Sequence, residues 1–192
     1  MTLTRSTVTA AAEEYREREP LYAVERDQVR TLPAAFASGE FGWRDAEWVV
    51  RWYYRRYLGE YPDPERRDAE ERFGENDYED IGEAIADVVA TDSVSDRVDR
   101  LTDLAAVDVP VASAFLLFVD PEEYVVVGPR EWAVLREAGE LSPEYPGPPS
   151  VGEYVTYLDV CRSVADRVDC DLWTLYRALW RLWKDDEAAF AE

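Results

Sequence analysis

The spacing of apolar side chains along the chain predicts an all-α protein. Apolar residues recur at intervals of three and four over most of the sequence, and no series of alternating residues indicates a sheet. The polar segment 5–18 is expected to form a solvated helix, and a helix within 21–37 is expected to break near Pro33. Further helices are predicted over 44–59, 64–72, 128–138, 151–168 and 171–190.

Two helices in the middle of the chain are marked by capping residues. Asn76 and Glu79 fit a capping box for a helix over 77–90, in which each side chain satisfies a free amide of the first turn. Ser93 repeats this pattern, together with the acid three residues after it, for a helix over 94–104. The apolar stripes of both helices follow the 3.6-residue period, so each helix is expected to pack one face inward.

The stretch AAVDVPVASAFLLF (105–118) predicts a tight turn that leads into a buried helix. Pro110 suits the first turn of a helix, and residues 110–119 are apolar on every side. Together with helix 94–104, this arrangement is typical of a helix-hairpin-helix. In such a motif, the backbone amides of the turn and the dipole of the second helix hold a phosphate oxygen.

Acidic residues dominate the charge of the chain. It carries 42 acidic and 21 basic residues, a formal net charge of −21, and Lys184 is its one lysine. This excess is typical of a protein from a salt-loaded cytosol, because molar salt screens the repulsion between surface carboxylates. The alternative is an acidic surface that mimics DNA or binds a basic partner. The N-terminus has no signal-peptide pattern and no apolar run is long enough to span a bilayer, so a cytoplasmic, membrane-free protein is expected.

The residue types in the chain limit the chemistry that it can perform. It contains no histidine, which excludes His-based triads and His-metal sites. Cys161 and Cys170 lack the second pair that the usual zinc and redox motifs need, and they are expected to be free thiols. No cofactor or metal is implied. Any catalysis would depend on carboxylate, tyrosine, arginine, hydroxyl or thiol side chains, or on Lys184.

Residues in and after the predicted hairpin form a pattern. It runs through Ala-Ser-Ala, an apolar stretch, a Pro–Tyr turn and an arginine, at Ala112, Ser113, Ala114, Pro121, Tyr124 and Arg130. Upstream, the segment WYYRR (52–56) stands where a Trp-Lys…Arg element would be expected. These features resemble the helix-hairpin-helix DNA glycosylase superfamily, and more closely a group of small glycosylase-like proteins. The likeness covers about residues 40–135, and the helices over 151–190 would complete the same fold.

The chain departs from this family pattern at two places. The hairpin glycines of the family would lie at Ala106 and Asp108, and the carboxylate of Asp108 would repel a phosphate bound there. The resemblance places the catalytic aspartate, which stabilises the cationic sugar, at Gly128. Glycine is acceptable there as a helix N-cap, so the cap is kept while the charge is lost. Asp120 and Glu131 are the nearby acids that would have to replace it.

The resemblance also implies an interface for nucleic acid. Backbone amides around 106–111 would contact phosphate, and tryptophans could stack on an extruded base. The residues concerned are Ala106, Val107, Asp108, Val109, Val111, Trp52, Arg55, Arg56 and Arg130. The alternative is purely structural: the turn packs two helices together, the tryptophans belong to the core, and the arginines pair with carboxylates.

The sequence therefore predicts a single all-α domain over 1–192, two-lobed and similar to a DNA glycosylase. The predicted function is that of a glycosylase-like protein without base-excision activity, which binds DNA weakly or in a structure-specific way. The alternative is a protein-interaction module that reuses the scaffold and meets its partner through an aromatic or acidic surface. An active glycosylase with a relocated carboxylate is the third possibility.

Overall fold

The computed structural model describes the backbone of residues 1–190 and the side chains of residues 1–184. Over this range the chain is helical and contains no strand, which confirms the all-α prediction. The helices are α1 (Arg5–Arg18), α2 (Tyr22–Ser38), α3 (Trp43–Arg55), α4 (Asp63–Phe73), α5 (Tyr78–Ala90), α6 (Val94–Thr102), α7 (Val109–Val119), α8 (Pro129–Glu137), α9 (Val151–Val168) and α10 (Leu172–Phe190).

Helix α7 lies at the centre of the hydrophobic core. Its residues 110–118 are all buried, as the uninterrupted apolar sequence predicted, and Pro110 occupies its first turn. The helix contacts α2, α3 and α6. The irregular segment after it continues into the core, where Val125, Val126 and Val127 are completely buried. One continuous cluster of buried apolar side chains extends from Leu3 to Trp180.

The two N-terminal helices differ from what their sequences predict. Helix α1 is not simply solvated, because its small apolar residues and Tyr15 form a buried stripe that packs against α10. The polar composition of the other faces hides this stripe in the sequence. Helix α2 continues through Pro33, and the buried side chains of Leu32 and Phe36 hold it in the core on both sides of the proline.

None of the helices within residues 1–190 combines the length and the apolarity needed to cross a membrane.

Candidate functional site

The connector between α6 and α7, residues 103–108, is a short turn of defined geometry. Ala106 adopts a left-handed backbone with φ of 61°, a conformation that glycine adopts without strain and alanine does not. The Val107 amide donates to the Leu104 carbonyl at 3.2 Å. The Asp108 side chain caps α7 by accepting from the Val111 amide at 3.0 Å. The amides of Val107 and Val111 are therefore already hydrogen-bonded within this part of the protein.

Asn76 holds the connector in place, a role that the sequence did not indicate. Its side-chain oxygen accepts from the Ala105 amide at 2.8 Å, and its side-chain nitrogen donates to the Ala105 carbonyl at 3.1 Å. The predicted capping box with Glu79 is wrong, because α5 begins after Asp77 and Asn76 is bonded elsewhere. Nothing in the local spacing shows that residue 76 reaches a turn 29 positions later.

A cleft of about 480 Å³ lies beside the connector, and we call it the connector cleft. It is lined by Tyr54, Ala69, Arg72 and residues 102–108. Arg72 is the one cation among these lining residues, and the carboxylates of Asp103 and Asp108 oppose it. Residue 108 is exposed, but neighbouring groups displace part of the water around its carboxylate. This loss of water raises the pKa of Asp108 above its usual value, although the hydrogen bond from the Val111 amide acts to lower it.

Five of the predicted interface residues lie in the connector or in the first turn of α7. Ala106, Val107 and Asp108 line the connector cleft. Val109 follows them at the start of α7, while Val111 is completely buried and its amide is already capped by Asp108. A phosphate at this end of α7 would therefore compete with a carboxylate for the amides of the first turn.

The other predicted contacts to nucleic acid are mostly in the protein interior. Trp52, Arg56 and Arg130 are each less than 5% exposed. Arg55 is exposed and pairs with Glu70 of α4 at 3.3 Å. Of the four, only Arg55 reaches the surface, so the other three cannot touch a ligand without rearrangement of the core.

The buried arginines are enclosed by aromatic rings and paired with acids. Arg56 forms an ion pair with Glu131 of α8, and five Trp and Tyr rings lie within 6 Å of its guanidinium. Arg130 pairs with Glu60 and lies 3.9 Å from the centroid of the Trp183 ring. Burial tends to lower the pKa of Arg56, but attraction to Glu131 raises it well above the usual value. Arg56 is therefore charged, and its role is to hold α3 and α8 together.

Gly128 lies directly against this ion pair. A side chain at position 128 would place its β-carbon against Arg56 Nη2, 2.7 Å from Glu131 Oε2 and 2.9 Å from the Tyr57 hydroxyl. The backbone of Gly128 is extended, with φ of −160°, so the need for glycine here is a matter of space and not of backbone conformation. The volume that an acidic side chain would occupy is already filled by protein.

Both neighbouring acids are engaged by other groups of the protein. Glu131 is completely buried and bound to Arg56. Asp120 ends α7, and one of its oxygens accepts from the amides of Glu122 and Glu123 at 3.1 and 3.3 Å. Asp120 is also far from the connector, because the two lie at opposite ends of the eleven-residue helix α7, roughly 16 Å apart along the helix axis.

The tryptophans and cysteines have structural surroundings. Three tryptophans are buried (Trp52, Trp132 and Trp180), and the other four are partly buried and pack against the core (Trp43, Trp48, Trp173 and Trp183). Both thiols are free, as expected. Burial raises the pKa of Cys161, and raises that of Cys170 to about 11, so neither is a reactive thiolate near neutral pH.

Comparisons with known proteins do not assign the chain to a family. It matches no protein-family model, no curated protein and no solved structure. The function therefore has to be inferred from the side chains of the site.

Proposed function

We propose that this chain is a glycosylase-like protein that does not excise bases and that contacts nucleic acid weakly through the connector between α6 and α7. The observation that carries the first part is the packing around Gly128. Excision by this chemistry needs a carboxylate facing the sugar, and the corresponding space is occupied by the buried pair of Arg56 and Glu131.

The contact with nucleic acid is supported by the connector cleft. Ala106 has the left-handed backbone that a phosphate-binding turn requires, and Arg72, which is paired with Asp68 at 3.8 Å, supplies a cation to the lining of the cleft. Asp108 works against binding, because its carboxylate caps the same helix end that would attract the phosphate. Binding should therefore be weak, and it should improve when this carboxylate is neutralised.

A second candidate, a protein-interaction module, is favoured by the acids of the same cleft. Asp103 and Asp108 outnumber Arg72 there, and a basic segment of another protein would complement them.

Neutralising Asp108 separates the two candidates. Asp108→Asn removes the charge and keeps the helix cap, because asparagine caps as well as aspartate does. Asp92→Asn is the matched control: it removes the same charge from an exposed residue next to the far end of α6. Fluorescence anisotropy would measure binding of an abasic oligonucleotide and of an arginine-rich peptide, in about 1 M salt, where the Debye length is about 3 Å.

Each proposal predicts a different result. For nucleic acid, Asp108→Asn should tighten binding of the oligonucleotide about two- to fivefold, and Arg72→Ala should weaken it. For a basic partner, Asp108→Asn should weaken binding of the peptide and leave the oligonucleotide unbound. Oligonucleotide binding that neither variant changes would exclude the connector contact. Release of a damaged base by the wild-type protein would overturn the absence of excision.

A further inference from the structure

Glu25 is a carboxyl group enclosed by the protein and unrelated to the connector cleft. It lies in the first turn of α2 and is completely buried. One oxygen accepts from the indole Nε1 of Trp52 in α3 at 2.8 Å, and the other accepts from the hydroxyl of Tyr15 in α1, also at 2.8 Å. The Tyr15 hydroxyl lies 3.4 Å from that of Tyr176 in α10. Glu25 thus links three helices directly and a fourth through Tyr15.

No cation neutralises this carboxyl group directly. Both of its hydrogen-bond donors are uncharged, and among residues 1–184 it forms no ion pair. A buried carboxylate without a counter-ion is strongly unfavourable, so such groups tend to take up a proton. Burial accordingly raises the pKa of Glu25, and the hydrogen bonds from Trp52 and Tyr15 only partly oppose this.

The charged groups around Glu25 are committed to other partners. Arg56, at the end of α3, favours the ionised form from a distance, but it is paired with Glu131 of α8. Glu19, after α1, disfavours ionisation and is itself bonded to Lys184 of α10 at 2.9 Å. Helix α7, which also packs against α2, has no acidic or basic side chain, and the four acids of α5 (Glu79, Asp80, Glu83 and Asp87) are exposed.

We propose that Glu25 is a proton-operated latch, which holds α1 and α3 on α2 when protonated and loosens them when it ionises. In the protonated form, the buried group is neutral: Trp52 still donates to one oxygen, and the proton on the other oxygen is donated to the Tyr15 hydroxyl, which turns its own hydrogen towards the Tyr176 hydroxyl. In the ionised form, a charge remains in the interior unless α2 moves and admits water. The latch is a property of the fold and does not depend on the proposed function.

The sign of the pH dependence follows from the raised pKa. The stabilisation is fully present below the ordinary pKa of a glutamate, about 4.3, and it is lost as the pH rises through the raised value. Between these two values the opening equilibrium should increase by up to about tenfold per pH unit, since one proton is released on opening.

Hydrogen exchange measured by mass spectrometry would test the latch on the full chain. Protection factors for α1 and α2, which divide out the intrinsic pH dependence of exchange, would be compared from about pH 4 to about pH 8. Glu25→Gln keeps the shape and an acceptor oxygen but cannot ionise. Glu17→Gln is the matched control, because Glu17 lies on the exposed face of α1.

We expect the protection factors of α1 and α2 to fall with rising pH in the wild type and in Glu17→Gln. In Glu25→Gln this fall with pH should be absent. Identical profiles in all three proteins would overturn the proposal.

Should Glu25→Gln fail to fold, the carbon-13 shift of the Glu25 carboxyl group in the wild type decides the matter. Titration at the ordinary value would overturn the latch, and titration at a raised value, together with the loss of protection, would support it.

Discussion

Gly128 and Gly152 are both glycines near the start of a helix, yet their surroundings are opposite. A β-carbon at Gly152, in α9, would have no neighbour within 4 Å. A β-carbon at Gly128 would press on Arg56 and Glu131, which are buried and enclosed by aromatic rings, so neither can swing away into solvent. The same chemical change should therefore have effects of opposite sign at the two positions.

Gly128→Ala should lower the free energy of unfolding by about 1–3 kcal/mol, because the added methyl group overpacks a filled region and separates the ion pair. Gly152→Ala should raise the free energy of unfolding by about 0.4–1 kcal/mol, because alanine is the better helix former. Urea denaturation of both variants checks this pair of predictions. Equal effects at the two positions would show that the space beside Gly128 can relax.

At this scale the sequence predicted some features and missed others. The resemblance placed family glycines at Ala106 and Asp108; the backbone is left-handed at Ala106, but at Asp108 it is extended, with φ of −88°, and requires no glycine. The role of Gly128 as an N-cap is also confirmed. The structural alternative, in which the arginines pair with carboxylates, holds for Arg56, but its partner could not be foreseen, because Arg56 and Glu131 are 75 positions apart in the sequence. The spacing of residues within a helix does not show which distant helix that helix packs against.

One hydroxyl group links helix α7 to the irregular segment after it. Ser113 is completely buried, donates to the Pro110 carbonyl at 2.6 Å and accepts from the Val127 amide at 2.9 Å. The phenol groups of Tyr154 and Tyr157 in α9 donate to the Val125 and Val126 carbonyls at 3.1 and 3.0 Å. Side chains of two helices thus supply the hydrogen-bond partners that the backbone of this buried, irregular segment needs.

Ser113→Ala should reduce the free energy of unfolding by about 1–3 kcal/mol, because it leaves the Val127 amide buried without an acceptor. Ser38→Ala is a suitable comparison, since the Ser38 hydroxyl also donates to a helix carbonyl but is exposed, and its loss should change stability by less than about 0.5 kcal/mol. Calorimetry of the two variants measures the difference. A neutral Ser113→Ala would mean that Val127 finds another acceptor.

The helices themselves were largely predictable from their periodicity and caps. Ser93 caps α6 by accepting from the Asp96 amide at 3.3 Å, and α9 and α10 begin within a residue of their predicted starts. The failures concern long-range partners. The apolar stripe of α1 is short and made of small side chains, so only its contact with α10 reveals it. Asn76 is a residue type that often caps helices, but here its side chain is bonded to Ala105 of the connector instead.

For the whole molecule, the net charge of −21 sets how stability depends on salt. The pairs found at the surface neutralise most arginines, so the remaining carboxylates repel one another. Raising the ionic strength from about 0.01 M to about 1 M shortens the Debye length from about 30 Å to about 3 Å and should raise the urea midpoint. Below about 0.5 M, chloride and sulfate should act equally at the same ionic strength. A gain confined to molar sulfate would instead indicate exclusion of the salt from the protein surface.

The filled space beside Gly128 also constrains how this protein can evolve. A glycine codon becomes an aspartate codon by a single base change, but an aspartate at 128 would arrive where a guanidinium and a carboxylate are already packed. A lineage could accept that acid only after Arg56 or Glu131 had been replaced by something smaller. Each of those replacements alone leaves its former partner as an uncompensated interior charge. The introduction of an acid at position 128 therefore needs several substitutions in a restricted order, with every intermediate less stable than the present protein.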